Sequence, residues 1–553
     1  MPKQLKNRLQ LRPYQSEAIS AVIAARRRGL RRMVVALPTG AGKTVIFSEL
    51  ARLAKRPVLV LAHRTELVQQ AADKLGRAIG DPSLVAVEQG ANRASVGVRV
   101  VVASIRSLSE SRLSKLLTRY DFGLIVYDEC HHSAADDNMR VLRSLGCFEE
   151  NWGGTLLGFT ATTVRADGQG LDAVFEEVVY NRGLMQMIRA GFLSPLRGFR
   201  VETAADLTGV LPAGGDLNVE QLAEAVDITD RNALVARSIQ ELARDRRTIA
   251  FCVTVAHAKN LARSLNALGV PAGVVYGNLR TEDRAAVLRR FSAGKIQVLA
   301  NVGVLTEGFD DPGVSCIAMA RPTRSEGLYT QCVGRGTRLF AGKADCLVLD
   351  FVDLSDLSLM ALPTLAGIPR DIDLEGENLE DAADRFHQLM FNYPGFELEA
   401  GAITLGEIQE RAAAFDPLSM EVDPEVFAIS PNAWESLGSR GLALHFFQKR
   451  GDAARSKLSN FQILRKGRGA SKWHILLNGK KVAAFSKVEA AVEATDFEVA
   501  KLGHFAGHSA HSSARWRRDP VPSQLKTRVD NARITVPIEN WGDAVRALGV
   551  VGG

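Results

Sequence analysis

Short runs dominated by apolar residues punctuate the first 352 residues, and each is separated from the next by enough chain for a helix. MVVAL (33–37), VLVLA (58–62), VVVAS (100–104), GLIVYD (123–128) and TLLGFTA (155–161) form one series. RTIAFCV (247–253), AGVVYG (272–277), IQVLANV (296–302), VSCIAMA (314–320) and CLVLDFV (346–352) form a second. A strand that is apolar throughout is covered on both faces, and strand–helix alternation predicts parallel sheets wrapped by helices. The expected fold class is therefore α/β, with two tandem parallel-sheet lobes over residues 1–197 and 198–365 and a cleft between them. The Gly- and Asp-rich stretch 211–218 reads as a surface loop within the second lobe.

The pattern changes after residue 365. Residues 366–430, which include LEGENLEDAADRFHQLM, read as an acidic helical connector. From 431 to 553 the chain reads as a basic accessory region with a small unit at 458–500. FQILRKG (461–467), KWHILL (472–477) and KVAAF (481–485) predict three strands, and SKVEAAVEAT (486–495) a helix. Asn478-Gly479 predicts a type I′ turn, because both central residues of that turn need positive φ. With its basic strand, Lys-Trp strand, Gly-Lys turn and Ala-rich helix, this stretch resembles the plant AP2-type DNA-binding domain. That resemblance implies a sheet able to enter a major groove; a scaffold or protein-docking unit is the alternative.

Charge sharpens the division. The net charge of +7 hides 17 acidic against 3 basic residues in 351–430, and 20 basic against 10 acidic in 431–553. The basic blocks on either side of the acidic one point to a polyanionic partner. No apolar run reaches the length of a membrane span, and the N-terminus lacks the apolar stretch of a signal peptide. The six cysteines (130, 147, 252, 316, 332 and 346) form no CxxC pair, so neither zinc nor a disulfide framework is expected. His504, His508 and His511 lie close in sequence but lack a neighbouring cysteine or carboxylate, which argues against a metal site. A reducing, cytoplasmic location fits, without a membrane partner.

Between the first strand and the helix that follows lies LPTGAGKT (37–44). Thr39, Gly40, Ala41 and Gly42 make a loop whose glycines permit backbone shapes that a side chain would block. Its N–H groups and the helix N-terminus behind them suit a phosphate. Lys43 reaches the outer phosphates, and the Thr44 hydroxyl ligates magnesium. The run GLIVY ends in Asp128 and Glu129 at the carboxyl edge of a buried strand, beside the loop. Asp128 is expected in the magnesium shell, and Glu129 is expected to activate water. ATP and Mg2+ are the expected cofactors.

A cradle and an acidic pair also fit kinases, transporters and GTPases. QCVGRGTR (331–338) narrows the choice. Arg335 and Arg338, three apart, are expected near the start of a helix and on one of its faces, reaching the γ-phosphate from the second lobe.

These segments, taken in order, resemble the motifs of superfamily 2 helicases and translocases with RecA-like lobes. They are LRPYQ (11–15), LPTGAGKT, VLAHRTELVQQ (60–70), VVASIRSL (101–108), DECHH (128–132), GFTATTVRADG (158–168), NVGVLTEGFDDPG (301–313) and QCVGRGTR. The form of the sixth and seventh is similar to the XPB–RadD branch, although Thr163 and Cys332 stand where many relatives carry Pro and Arg. The resemblance implies that Gln15 reads adenine and that Gly308 and Asp310 complete the nucleotide site from the second lobe. It implies a single-stranded track over Arg64, Thr65, Ser104, Thr254 and Thr306. It implies that His131, Thr160 and Thr162 couple nucleotide to movement. The function expected is an ATP-dependent helicase or translocase on nucleic acid, DNA favoured over RNA, in repair, recombination or defence. Alternatives are an RNA helicase and a motor subunit that positions a separate nuclease or repair complex.

Overall fold

The computed structural model describes residues 10–551 apart from 63–64, 134, 162–170, 307–308, 356, 394–395, 397, 399–402, 416–421, 423–425, 427–428, 450–455, 467–471 and 535. The chain divides into two units, Met1–Ala383 and Asp384–Gly553.

The first unit contains two parallel sheets. Strands β1 (Arg32–Ala36), β2 (Val58–Ala62), β3 (Val85–Glu88), β4 (Val100–Ser104), β5 (Leu124–Asp128), β6 (Leu156–Thr160) and β7 (Glu177–Asn181) form a seven-stranded sheet in the order β3-β4-β2-β5-β6-β1-β7. Every pairing in it is parallel. The inner strands β2 and β4 are buried at every position, as sequences apolar up to the terminal Ser104 of β4 require. Helices α1 (Pro13–Arg27), α2 (Lys43–Leu53) and α3 (Thr65–Ile79) are three of those that cover it.

The second sheet is built from β8 (Leu196–Asp206), β11 (Arg247–Phe251), β12 (Ala272–Tyr276), β13 (Val298–Val302), β14 (Val314–Met319) and β15 (Cys346–Leu354), ordered β12-β13-β11-β14-β15-β8. It too is parallel throughout. The ten runs read from hydrophobicity all fall on strands of these sheets. Between β8 and β11, the stretch expected as a loop is a short hairpin of β9 (Pro212–Ala213) and β10 (Asp216–Leu217). Asp216 gives it a structural task. Its carboxylate accepts from Arg321 Nη2, the Thr323 hydroxyl and the Arg324 N–H at 2.8–2.9 Å.

In the second unit, five strands rather than the three expected form one antiparallel sheet: Trp434–Ser436, Gly441–Lys449, Ser456–Arg465, Trp473–Leu477 and Lys480–Phe485, in chain order. The three-stranded AP2-like arrangement is thus the last part of a larger sheet. Asn478 and Gly479 have φ of +47° and +81°, as a type I′ turn demands. The helix Val488–Lys501 buries Ala491, Val492 and Val499 in the core of this unit. No helix among the described residues is long and apolar enough to cross a membrane.

Candidate active site

The cradle follows from how β1 ends. The Leu37 N–H still bonds Thr160 O of β6 at 2.9 Å, after which the chain leaves the sheet. Gly40 and Gly42 turn it with φ of +87° and +74°. Gly42 caps α2 with no side chain, so the first N–H groups of the helix remain open to an anion. The loop is braced from behind by α1. The Tyr14 hydroxyl donates to Ala41 O at 2.6 Å, and Gln15 Nε2 lies 3.5 Å from the same carbonyl. A Cβ on Gly42 would stand 2.8 Å from Gln15 Nε2, and the positive φ there strains any residue with a side chain.

At the end of β5, Glu129 has a left-handed backbone (φ +52°), unusual for a residue with a side chain. That conformation brings its carboxylate to Lys43, with Nζ 3.1 Å from Oε1. The Glu129 N–H donates to Asp128 Oδ1 at 3.1 Å. His131 Nδ1 lies 3.4 Å from Glu129 Oε2 and 3.2 Å from the Thr160 hydroxyl, so one imidazole touches both the acidic pair and the end of β6.

The second sheet contributes Asp310, Arg335 and Arg338. The helix Glu326–Val333 ends before both arginines, with Gly334 as its C-cap. The expectation of a helix start is therefore corrected. The arginines occupy the turn beyond a helix end, where three glycyl and threonyl neighbours (Gly334, Gly336 and Thr337) let the chain approach the cradle. A Cβ on Gly334 would lie 2.7 Å from Thr39 Cβ, and one on Gly40 would lie 3.3 Å from Arg338 Cγ. Arg335 is buried and donates to Thr306 O at 2.7 Å and Phe309 O at 2.9 Å. Arg338 Nε lies 3.0 Å from Asp310 Oδ1. Burial pushes the Asp310 carboxyl up, but Arg338, Lys74 and Arg335 outweigh it and hold it below the usual range. Burial lowers Arg338, opposed by Asp310 and Asp311; a guanidinium stays charged regardless.

Lys43, Thr44, Asp128, Glu129, Asp310, Arg335 and Arg338 all line one cavity of about 630 Å³, together with Thr39, Gly40 and Gly42. Arg12, Lys74, Arg77 and Phe192 also line it and were not singled out from the sequence. Arg12 could have been, since it belongs to LRPYQ; its Nη1 donates to Phe192 O at 3.1 Å. Lys74 and Arg77 carry no motif signal, being two cations on an amphipathic helix.

The remaining expected residues lie elsewhere. Gln15 and Ala41 are buried behind the cradle wall. Ser104 is buried at the end of β4, and Thr306 is buried with its hydroxyl 3.3 Å from Gly303 O. Thr254 caps the helix Val255–Ala267 by accepting from the His257 N–H at 3.2 Å. Arg64, Thr162 and Gly308 lie outside the described residues, as does the side chain of Thr65.

The residues present fit a magnesium–nucleotide complex. The cradle has the room that a Cβ would remove, Lys43 supplies charge, and a hydroxyl and a carboxylate, hard oxygen donors, share one wall.

Two parallel sheets whose strand ends share such a cavity define the class of two-lobed nucleotide hydrolases. Comparison with known proteins shows that the chain belongs to the superfamily 2 family of ATP-dependent helicases. The family model described as "Type III restriction enzyme, res subunit" matches residues 8–165, and "Helicase conserved C-terminal domain" matches 230–339. The chain is 34% identical to the proposed mitochondrial ATP-dependent helicase irc3 of Schizosaccharomyces pombe, over 80% of this chain and 73% of that one. It is 32% identical to the proposed ATP-dependent helicase IRC3 of Saccharomyces cerevisiae, over 67% of this chain and 56% of that one. A solved fragment of a proposed HsdR subunit of a type I restriction enzyme from Vibrio vulnificus YJ016 is similar with a TM-score of 0.48 and 23% identity, over 63% of this chain and 65% of that one.

Proposed function

We propose that this helicase-family protein acts on DNA, using ATP hydrolysis between its two sheets to move along the backbone or separate strands, in repair, recombination or defence. The observation that carries this reading is the shared cavity, in which Lys43 from one sheet and Arg335 and Arg338 from the other form parts of one wall. A site completed by both lobes ties their closure to the nucleotide. In this reading the cradle and Lys43 hold the phosphates, Thr44 and Asp128 hold magnesium, and Glu129 orients the attacking water. Magnesium, when bound, neutralises phosphate charge. Arg335 and Arg338 stabilise the charge that builds in the transition state. Gln15, with Gly308 and Asp310, completes nucleotide recognition. Arg64, Thr65, Ser104, Thr254 and Thr306 form the strand track, and His131, Thr160 and Thr162 the coupling path. The domain limits 1–197, 198–365, 366–430 and 431–553 are proposed as the functional divisions.

DNA is favoured by the resemblance to the XPB–RadD branch, by the match to the restriction-enzyme model, and by the basic accessory region. RNA is the second reading. A motor subunit serving a separate nuclease is a third, since one relative at 28% identity is named as a type I restriction enzyme EcoAI endonuclease subunit. All six cysteines are free and buried, which supports a reducing compartment such as the cytoplasm. The deciding experiment compares ATPase stimulation by single-stranded DNA, duplex DNA and RNA at two salt concentrations, with Lys43→Ala as the blank. Stimulation by RNA alone would move the assignment to RNA, and undiminished turnover in Lys43→Ala would remove the site.

A further inference from the structure

We propose that the C-terminal unit carries a second nucleic-acid site, a pocket that takes one nucleotide unit of a single strand. The pocket, of about 520 Å³, lies between the antiparallel sheet and the helices Ser523–Asn531 and Trp541–Val551. Its wall has two zones. Leu458, Leu464, Leu525, Val545 and Leu548 give an apolar floor, while Arg465, Lys466 and Arg528 bring three exposed cations. No carboxylate lines it among the described residues, and none there pairs with those three cations. Arg440 also borders the pocket, but its guanidinium is occupied by the Gly549 and Val550 carbonyls.

Polar groups between the two zones narrow the ligand. Asn460 and Gln462 each offer an amide with both donor and acceptor, the combination a nucleobase edge requires. His445 is held in a fixed orientation. Glu435 Oε2 lies 2.7 Å from its Nδ1, and Arg517 Nη1 braces the same carboxylate at 3.0 Å. Burial pushes Glu435 up, but His445 and Arg517 outweigh it and keep the carboxyl below the usual range. The carboxylate accepts from Nδ1, so the other ring nitrogen is available to a ligand. Apolar floor, amide edge and cationic rim match base, base edge and phosphate in turn. An acidic peptide would use only the rim. The pocket volume is within the range of small-ligand sites.

This inference rests on nucleic acid being the motor's substrate, but on none of the ATP-site roles. The test uses the full chain without ATP and follows the anisotropy of a labelled single-stranded oligonucleotide. Combined Arg465→Ala, Lys466→Ala and Arg528→Ala should raise the Kd at least about tenfold and flatten its salt dependence. Gln462→Leu should raise the Kd several-fold with the salt dependence unchanged. Exchange of the three cations among Lys and Arg should restore most of the affinity, which a folding defect would not allow. dCMP, which lacks the adenine that the ATP site is proposed to read, should raise the melting temperature of the wild type and not of the triple variant, and inorganic phosphate should shift neither. Wild-type binding that both variants retain in full would overturn the pocket while leaving the motor reading intact. A wild type that neither binds nucleic acid nor is stimulated by it would overturn the motor reading itself.

Discussion

Lys74 on α3 places its Nζ 2.5 Å from Oδ2 of Asp310, which follows β13, so this ion pair joins the two lobes at the mouth of the nucleotide cavity. The other carboxylate oxygen of Asp310 holds Arg338. Asp310 thus lies between a cation of each lobe, and any nucleotide that recruits Arg338 competes with it.

Separate weights follow for the two contacts. Lys74 and Asp310 are each more than a third exposed, so their pair is worth well under about 1 kcal/mol after solvent screening. Lys74→Ala should therefore change KM for ATP by less than about fivefold, and salt should erase the difference. Asp310→Asn removes the charge partner of the mostly buried Arg338 and should lower kcat about 10–100-fold. Steady-state ATPase assays at low and high salt distinguish these outcomes. A loss of orders of magnitude in Lys74→Ala would mean that the lysine touches the nucleotide.

The two arginines differ in a way their motif conceals. Arg335 donates to the carbonyls of Thr306 and Phe309, so Arg335→Ala strands two acceptors and frees the loop after β13. It should cost about 2–4 kcal/mol of stability as well as turnover. Arg338→Ala should lower kcat by about 10³-fold with little change in melting temperature. Lysine should not rescue position 335, because an ammonium lacks the planar fork that reaches both carbonyls. Equal melting temperatures for the two alanine variants would contradict this division.

His257 makes the second lobe sensitive to acid. It is fully buried, and its Nδ1 accepts from the Val253 N–H at 3.3 Å. Burial above all, with Arg231 nearby and Asp227 opposing, pushes its pKa down to about 4. The unfolded value is about 6.5, so unfolding takes up a proton in the interval between. The stability this group contributes is complete above about pH 6.5 and drains as pH falls towards 4, by on the order of 3 kcal/mol. His257→Gln keeps an acceptor for Val253 but does not titrate. Its melting temperature should fall less than that of the wild type between pH 7.5 and 5, and parallel curves would exclude His257 as the source.

Much of the first unit was legible because its central strands are buried on both faces and therefore apolar along most of their length. The strands missed there lack that signature. β3 (Val85–Glu88) and β7 (Glu177–Asn181) are the two edge strands of their sheet and bury only Glu88 between them, and β8 alternates buried and exposed positions at the other sheet's edge. In the second unit Asn478-Gly479 revealed one hairpin, whereas the strand GLALHFFQK was not singled out, although Gly438 and Gly441 mark the turn before it. The cradle and acidic pair are local in sequence and could be read directly. The links from Lys74 to Asp310 and from Arg335 to Thr306 join residues 236 and 29 positions apart, and no spacing rule reports them.

His131 offers the sharpest test of how hydrolysis and movement are joined. Its imidazole lies within 3.4 Å of the Glu129 carboxylate and 3.2 Å of the Thr160 hydroxyl, whose backbone carbonyl in turn accepts from Leu37 at the start of the cradle. In the proposed coupling path, a change in the charge around Glu129 reaches β6 through this imidazole, where the strand leads out of the sheet at Thr160. Glu129→Gln should keep nucleotide binding and lower turnover by at least about 10²-fold, since the amide cannot take up the proton of an attacking water. His131→Ala leaves Lys43, Asp128 and Glu129 in place. It should retain most basal turnover while losing most of the stimulation by nucleic acid and any strand separation. Measured side by side, basal and stimulated ATPase rates separate the two roles. If His131→Ala lowered both rates by the same factor, the imidazole would belong to the chemistry rather than to its transmission.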